Sequence, residues 1–574
     1  MRKRRHGRPV VIHQGTYKSF SKYIGADVQL TNVDQSMNEA VQCYEAGRLN
    51  QAQQLCREIL GSDTNHPDAL HLLGVIAYRA GQCEQAIKLV RQAIAQNQQV
   101  PQFHNTLGVV LRAAGKHEQA LVAYKQATVL NPRYAQAHHN MGNVFLSEGR
   151  YEAAVEKYNH VIALDPESVE TYNSVAVALH HLGEYAAAIQ RCNEALSVKP
   201  DYAEAHNTLA SVLMKKGLCA EAISHYKHAL QLKPDYAEAH CNLGMALLLT
   251  GRFEEGWAEY TWRLKTGKAA HLRRHPVPCW DGSPFVGRRL LVHHEQGFGD
   301  NIQFIRYLPM VKRLGGTVIC EMLRPLVGLF RGFPGIDELA EASSATALPA
   351  DFDFYIPLLE LPRILGTTVA TIPASVPYLR ADPAKAQRWR GRFSRTELNI
   401  GIVWAGQPAH PEDGARSCHL RHFLRLSGTP GMRLFGLQKG NAAAQAKSLA
   451  PDMSLTNLGD ELDDFADTAA VIENLDLVIS VDTAVLHLAG AMAKPAWGIL
   501  PFVPDWRWML DRQDSPWYPT MRLFRQRQYG DWDDVFQRVS QELETLVGRK
   551  KAMASGPDGH RDEGFQARPE YPTD

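Results

Sequence analysis

Two segments of the sequence place acidic or imidazole side chains where an apolar run gives way to a helical pattern. The first spans residues 293–303 and contains Asp300, and the second spans residues 477–490 and contains Asp482 and His487. A carboxylate at a helix start can take a proton, accept a hydrogen bond from a ribose hydroxyl, or cap the helix. The free N–H groups and positive dipole end of a helix start suit a diphosphate.

The first segment is open to two interpretations. Gly297 and Gly299 let the chain turn sharply, and a Gly-x-Gly pair is compatible with nucleotide binding. Asp300 with Gln303 also fits a capping box, which stabilises a helix by about 1 kcal/mol. Spacing alone favours the cap.

The second segment runs from an apolar strand into Asp482, Thr483 and Ala484, with His487 one turn into the helix. Asp482 either accepts from a ribose hydroxyl or caps the helix. His487 either contacts a phosphate or packs under Trp497.

Short β-rich runs separated by helical windows fill the second half of the chain, so we predict parallel sheets of doubly wound type. A polar stretch at 381–397 divides this half into two lobes, 288–380 and 398–548. If the lobes face one cleft, ligands bind at the carboxyl ends of the strands. The predicted strands are 290–293, 317–322, 352–357, 400–404, 433–437, 477–481 and 496–500.

The first half of the chain is a repeat array. Seven glycines stand 34 residues apart, at 47, 81, 115, 149, 183, 217 and 251. Small residues recur at repeat positions 8 and 20, where two helices approach closely. The pattern resembles the tetratricopeptide repeat and covers residues 33–270 in seven units, the last one atypical. An α-helical solenoid of this kind presents a concave surface that suits a protein or peptide.

Asparagines and histidines also recur within the array. The asparagines form a broken row that either hydrogen-bonds a peptide in the concave groove of the array or lies between helices. The histidines at repeat position 4 are predicted to pack between helices. A metal site is disfavoured, because side chains from helices about 8–10 Å apart cannot easily share one zinc ion. The asparagines are Asn105, Asn140, Asn173, Asn207 and Asn242, and the histidines are His104, His138, His206 and His240.

The seventh unit replaces small residues with Trp257, Trp262 and Arg263. A terminal unit must cap the stack or dock on the next domain, and the stiff connector at 271–287 favours docking.

Composition excludes several classes of protein. The chain has 574 residues and a net charge of +1, which gives no global bias toward nucleic acid or membrane surfaces. No apolar run approaches the roughly 20 residues of a membrane span, and no apolar stretch comes after the basic start, so we expect no signal peptide. Nine scattered cysteines predict a reducing cytoplasm. Residues 1–32 and 549–574 are predicted to be disordered tails.

Several motifs of the second half occur together in a known family. The motifs are Gly256-Trp257, Trp280-Asp281-Gly282, Glu295-Gln296-Gly297-x-Gly299-Asp300, Asp464-Phe465-Ala466-Asp467-Thr468, Asp482-Thr483-x3-His487, Asp505-Trp506-Arg507-Trp508 and Pro516-Trp517-Tyr518-Pro519. Residues 250–545 resemble the glycosyltransferase family that contains the bacterial lipopolysaccharide heptosyltransferases. The resemblance is greater to bacterial proteins in which tetratricopeptide repeats precede such a domain.

The resemblance implies a GT-B fold, a nucleotide-sugar donor held mainly by the second lobe, inversion at the anomeric carbon, and no metal or other cofactor. It implies that Asp300 is the base for the acceptor hydroxyl; Glu295, on the same turn, is the alternative base. The residues that we predict to bind the donor are Gly297, Gly299, Arg416, Gln438, Lys439, Asp482, Thr483, Ala484 and His487.

The chain departs from the family at two places. The family has a glycine where Ala484 stands, and the loop after the 400–404 strand lacks the family's lysine. Arg416 could supply a bidentate contact instead. Gln438 and Lys439 either reach the donor or form a surface turn.

We therefore predict a cytoplasmic glycosyltransferase whose repeat array selects its acceptor. The alternative is an inactive transferase-like domain on a tetratricopeptide scaffold. The aromatic segment 505–508 with 516–518 either stacks on a sugar or base, or packs the wall of the cleft.

Overall fold

The computed structural model describes residues 32–266, 275–342, 351–410, 412–448 and 455–554. Almost all of the predicted N-terminal tail, part of the connector, and residues 555–574 lie outside these ranges. The predicted tail from residue 549 is wrong over its first six residues, because the helix Trp532–Ala554 continues through them. Lys550 helps to hold this helix, since its ammonium donates to the carbonyl of Glu397 at 3.0 Å and to Asp476 at 2.9 Å.

The chain divides into two compact units between Tyr236 and Ala237. The seventh repeat therefore belongs to the second unit, whereas the repeat pattern itself predicts a boundary at residue 270. Contacts within the second unit explain the difference. The Trp257 indole donates to the carbonyl of Thr367 at 2.9 Å and meets Trp506 edge-on at 5.2 Å between ring centroids.

Helix pairs build the repeats, and a glycine ends the first helix of each pair. These seven glycines have φ between 75° and 81°, the left-handed conformation that glycine adopts without strain. The helices of the first unit are Asn32–Glu45, Leu49–Ser62, Pro67–Arg79, Cys83–Gln96, Pro101–Ala113, His117–Leu130, Ala135–Ser147, Tyr151–Leu164, Val169–Leu182, Tyr185–Val198, Ala203–Lys215 and Cys219–Leu232. The seventh pair is Ala237–Leu249 and Phe253–Tyr260, followed by the 3₁₀ turn Thr261–Lys265.

Repeat position 8 is small because the second helix of the pair fills the space beside it. At Gly142, a Cβ atom would lie 2.5 Å from the ring of Tyr158, which is itself fully buried. Gly108 stands in the same relation to Tyr124. The tyrosines thus occupy the volume that a larger residue at position 8 would need.

The first sheet of the second unit has four parallel strands in the order β3-β2-β1-β4. β3 escaped prediction because its sequence Glu-Leu-Ala-Glu lies at a sheet edge and is partly exposed. The strands are β1 (Arg289–His293), β2 (Thr317–Met322), β3 (Glu338–Glu341) and β4 (Phe354–Pro357). The helices of this lobe are Phe298–Phe304, Leu308–Lys312, Arg324–Phe330 and Leu361–Ile364.

The second sheet has six parallel strands in the order β10-β9-β8-β5-β6-β7. Two edge strands were not predicted, β7 because it is short and β10 because arginines interrupt it. The strands are β5 (Leu398–Val403), β6 (Met432–Gly436), β7 (Leu455–Asn457), β8 (Leu477–Val481), β9 (Ala496–Leu500) and β10 (Met521–Arg525). The helices are Pro383–Trp389, Asp413–Arg416, Leu420–Leu424, Ala444–Lys447, Phe465–Glu473, Ala484–Ala491 and Trp532–Ala554.

A helical repeat array followed by two parallel α/β sheets confirms the predicted fold class. Across the described ranges, none of the helices has the length and apolar character needed to cross a membrane.

Gly142→Ala should destabilise the array by about 1–3 kcal/mol, because the added methyl overpacks against Tyr158. Gly61→Ala is the matched control, since a Cβ at this exposed helical position meets nothing within 4 Å. The control should be neutral or stabilising by up to about 1 kcal/mol through helix propensity. Thermal unfolding of both variants measures the difference, and equal effects would contradict the packing argument.

Candidate functional site

The loops that carry the predicted site residues all come after the carboxyl ends of strands. In the second sheet β5 lies between β8 and β6, so the strand order reverses next to β5. The crevice at such a reversal is where open α/β sheets bind ligands. The loops after β5 and β8, which contain Arg416 and Asp482, lie at this crevice.

Asp300 occupies the third position of the helix Phe298–Phe304, and Gly297 is the N-cap. One carboxylate oxygen of Asp300 accepts from the N–H of Gly297 at 2.8 Å. The predicted capping box that begins at Asp300 and ends at Gln303 is therefore wrong. Asp300 instead accepts from the backbone N–H of the N-cap residue, three residues earlier.

The other carboxylate oxygen of Asp300 pairs with the guanidinium of Arg507. Arg507 is buried, and it also donates to Gln303 at 2.7 Å and to Asp505 at 2.8 Å. Burial opposes its charge, but Asp505 and Asp300 outweigh burial and raise the pKa of Arg507. One cation thus joins the turn of the first lobe to the loop after β9 in the second.

Glu295 does not fit the role of alternative base. It is 3% exposed, and its two oxygens accept from Arg263 at 2.7 and 2.8 Å. Since a buried bidentate pair occupies the whole carboxylate, Glu295 is held as a structural anion.

Asp482 and His487 are both buried at the start of the helix Ala484–Ala491. Burial and the nearby Asp505 raise the pKa of Asp482 to about 6. Burial, Arg507, Arg306 and Arg416 lower the pKa of His487 well below its usual value. His487 is therefore neutral, and its 3.8 Å approach to Asp482 is not an ion pair.

The two predicted turns meet. A Cβ atom on Gly299 would lie 2.8 Å from Cδ2 of His487 and 3.4 Å from Cα of Ala484. The glycine is thus required by the close approach of the two lobes, and its predicted contact with the donor stays a prediction. The turn that carries Asp300 therefore packs directly against the start of the helix that carries His487.

Two backbone N–H groups at the start of the helix Ala484–Ala491 have no acceptor among the described residues. The amides of Leu486 and His487 bond to the carbonyl of Thr483, and no side chain caps the helix. The hydroxyl of Thr483 is engaged with that of Ser480 at 2.9 Å. Among the described residues, the N–H groups of Ala484 and Val485 are left without a partner, as an anion site requires.

Arg416 lies under the loop after β5, against Gly406. Its Nε atom is buried and makes no hydrogen bond among the described residues, and it lies 3.6 Å from the carboxylate of Asp413. Its charge also lowers the pKa of Asp482, which puts Arg416 in electrostatic range of the β8 turn. A guanidinium that acts electrostatically on this turn is a suitable partner for a phosphate.

Gln438 holds the loop after β5 in place by hydrogen bonds. It is buried, accepts from the amides of Trp404 and Ala405 at 3.1 and 2.9 Å, and donates to the carbonyls of Ala405 and Lys439. This use of all its polar atoms contradicts the predicted direct contact of Gln438 with the donor. Lys439 is exposed, and its ammonium donates to the carbonyl of Leu462.

Known proteins match both halves of the chain. The family described as TPR repeat matches residues 108–147, 142–183, 178–217 and 219–251, and the family described as tetratricopeptide repeat matches residues 44–108. The family described as glycosyltransferase family 9 (heptosyltransferase) matches residues 425–500. The chain therefore combines tetratricopeptide repeats with a heptosyltransferase-like domain. The matched segment includes Asp482 and His487 but neither Asp300 nor Arg507.

A curated relative, protein FlbA of Caulobacter vibrioides, is 28% identical over 314 residues, which are 51% of this chain. The chain spans about half of that relative's length, 52%. Two solved structures are similar to this chain. A tetratricopeptide repeat protein of Parabacteroides merdae is 15% identical with a TM-score of 0.36, covering 42% of this chain and 94% of its own. The pilF protein of Pseudomonas aeruginosa is 22% identical with a TM-score of 0.32, covering 37% and 96%.

The aromatic segments of the heptosyltransferase-like domain pack the wall of the cleft. Trp506, Trp508, Trp517 and Tyr518 are all 3% exposed or less. His487 stacks on Trp508 at 5.1 Å, and its Nδ1 is hydrogen-bonded to the Tyr518 hydroxyl at 2.9 Å. These rings hold His487 in place and leave no face for a sugar.

The asparagine row divides into buried and accessible members. Asn140 donates to Asn105 at 3.0 Å and both are buried, so the predicted groove role is wrong for these two. Asn173, Asn207 and Asn242 are partly exposed, and their role in the groove stays a prediction.

Three histidines at repeat position 4 link their helix to the loop that precedes it. His104, His138 and His206 each place Nε2 3.0 Å from a backbone carbonyl six residues earlier, in the loop from the preceding repeat. Across the described residues, no cluster of His, Cys, Asp or Glu is arranged to hold a metal ion.

Sequence reasoning missed two arginines of the site. Arg507 appeared only as part of an aromatic motif, and Arg306 in no motif at all. Arg306 is buried and donates to the carbonyls of Gln303 and Trp517, each at 2.8 Å. Because these partners are neutral, its charge adds to the positive potential around His487. An arginine within an otherwise apolar, aromatic run was the available signal.

Asp482→Asn should make the protein more stable at pH 7–8. The folded pKa of Asp482, about 6, lies above its usual value of 3.8, so the folded state binds more protons between these limits. Wild-type stability therefore falls as the pH rises from about 4 to about 6, by on the order of 3 kcal/mol. The difference in Tm between variant and wild type should grow over this interval and vanish near pH 4.

Asp337→Asn is the control of opposite sign. Burial raises the pKa of Asp337, but Lys312 and the N–H of Val318 outweigh it and lower the pKa. This variant should lose stability at neutral pH. A Tm difference for Asp482→Asn that is independent of pH would refute the assignment.

Proposed function

We propose that the heptosyltransferase-like domain transfers a sugar from a nucleotide-sugar donor to an acceptor hydroxyl, with inversion. The observation that carries the proposal is that the Asp300 turn packs directly against the bare start of the helix Ala484–Ala491, since a Cβ atom on Gly299 would lie 3.4 Å from Cα of Ala484. A proton acceptor and an anion site at one place are the two elements that the reaction requires.

The charge around His487 suits a diphosphate. Arg507, Arg306 and Arg416 all act electrostatically on His487, and the helix start adds its dipole. Positive groups fixed in a low-dielectric site stabilise the charge that develops on a leaving diphosphate. We therefore propose that these arginines replace a metal ion.

Asp300 completes the chemistry as the base. The acceptor oxygen attacks the anomeric carbon, and its proton passes to the carboxylate of Asp300. The bond between the anomeric carbon and the phosphate oxygen breaks, and its electron pair leaves on the diphosphate. A single displacement from the opposite face inverts the anomeric centre.

The repeats indicate protein or peptide binding, and we propose that they select the acceptor. Asn173, Asn207 and Asn242 are the remaining candidates for contacts with its backbone. All nine cysteines are free, which supports a reducing compartment such as the cytoplasm.

Asp300→Asn should abolish turnover and preserve donor binding. The amide can still occupy the cap but cannot take the proton, so kcat for sugar transfer or donor hydrolysis should fall about 10²–10⁴-fold. Thermal stabilisation by the nucleotide sugar should change little. Asp382→Asn is the matched control, because this exposed aspartate also accepts a backbone N–H, from Lys385 at 2.8 Å. Activity that persists in Asp300→Asn would exclude Asp300 as the base.

Ala484→Pro tests the phosphate site separately. Proline is tolerated at the first position of a helix, and the extended backbone of Thr483 (ψ 168°) is compatible with a proline at the next position. The substitution removes one N–H donor, so Kd for a nucleoside diphosphate should rise about tenfold or more. Titration calorimetry measures it.

Ala203→Pro is the control for Ala484→Pro. It places a proline at the first position of a repeat helix, where Pro67 and Pro101 already stand in other repeats. The affinity of this variant for the nucleoside diphosphate should match that of the wild type. Unchanged affinity in Ala484→Pro would remove the helix start from the binding site.

A second candidate is a nucleotide-binding scaffold without transfer. It is favoured by the engagement of both oxygens of Asp300, with Gly297 and Arg507. A panel of nucleotide sugars separates the two: stabilisation without turnover of any donor or acceptor supports the scaffold, whereas hydrolysis or transfer supports the enzyme.

A further inference from the structure

Arg263, from the 3₁₀ turn that ends the seventh repeat, is buried between two carboxylates. Its Nε and Nη2 atoms donate to Glu295 at 2.7 and 2.8 Å, and its Nη1 donates to Glu360 at 2.6 Å. All three side chains are 7% exposed or less. Burial opposes the charge of Arg263, but the two glutamates outweigh burial and raise its pKa.

These two glutamates come from a defined place in the first sheet. Glu295 comes after β1 and Glu360 after β4, and the order β3-β2-β1-β4 reverses beside β1. This is the crevice where an open α/β sheet would hold a ligand. In the first lobe a side chain of the seventh repeat fills it.

Tyr260, three residues earlier, makes the second contact with the same turn. Its hydroxyl accepts from the side-chain Nε2 of Gln296 at 3.0 Å. Gln296 has φ of 59°, a left-handed conformation that a non-glycine residue keeps only when its surroundings hold it. The next residue, Gly297, donates to Asp300. The seventh repeat thus holds the two residues that lead directly into the Asp300 turn.

We propose that Arg263 and Tyr260 are positioning residues for Asp300, so that the seventh repeat forms part of the transferase site. The inference rests on the proposed function in that Asp300 is the base. Arg263 fixes the backbone before the turn, and Tyr260 fixes its left-handed residue. Asp300 then meets Arg507 at the geometry that transfer requires.

The test uses the full-length protein and two mild variants, Arg263→Lys and Tyr260→Phe. Lysine keeps the charge but loses the bidentate fork, and phenylalanine loses only the hydroxyl. Arg252→Lys is the matched control, because Arg252 lies in the same repeat and makes a bidentate pair with Glu255, but on the exposed surface. Hydrogen–deuterium exchange of residues 294–303 and 477–491 is measured together with kcat and KM.

Exchange at 294–303 should rise about tenfold in both variants and stay unchanged at 477–491, because only the first turn loses support. kcat should fall about 10- to 100-fold, as expected when a reacting group is displaced by a fraction of an ångström to 1 Å. KM for the nucleotide sugar should stay within about twofold, since the donor site lies on the second lobe. Arg252→Lys should match wild type in every measurement.

Unchanged exchange at 294–303 in a folded Tyr260→Phe protein, with wild-type kcat, would overturn the inference. If Arg263→Lys does not fold, Tyr260→Phe alone decides. If exchange rises as expected but wild type itself turns over no donor, the support that the seventh repeat gives to the Asp300 turn stands, whereas its catalytic role fails together with the proposed function. The exchange and turnover measurements therefore distinguish the two failures.

Discussion

The buried guanidinium of Arg507 is the interaction on which the site depends. It binds Asp300 and Gln303 of the first lobe and Asp505 of the second. A buried cation is tolerated only when several acceptors surround it, and these acceptors come from both lobes. Burial lowers the pKa of His487 most, and the charge of Arg507 lowers it further. The contact between the two lobes and the placement of Asp300 therefore depend on one side chain, which also contributes to the neutral state of His487.

The seventh repeat holds the other side of the Asp300 turn with a second buried arginine. Arg507 holds Asp300 from the second lobe, whereas Arg263 holds Glu295 from the repeat. Six residues, 295–300, lie between two buried arginines that belong to different elements. A tetratricopeptide unit that ordinarily ends a stack is here part of the wall of an α/β domain, which explains why tryptophans and an arginine replace its small residues.

Much of this architecture could be predicted from the sequence, because it depends on local patterns. The glycines 34 residues apart, the buried strands β1 and β8, and the turns with Asp300 and Asp482 all leave periodic or motif signals. The edge strands β3, β7 and β10 do not, since short or partly charged edges lack alternation. The partners of Asp300 and Glu295 were also beyond prediction. The contact between Asp300 and Arg507 spans 207 residues, and no local spacing encodes it.

The most direct measurement is a crystal structure of the full-length protein with a nucleoside diphosphate bound. The account predicts a phosphate oxygen within about 3 Å of the backbone N–H of Ala484 or Val485 and of the Arg416 guanidinium, with the Asp300 turn next to the bound diphosphate. A diphosphate bound elsewhere, with the start of the helix Ala484–Ala491 still bare, would contradict it.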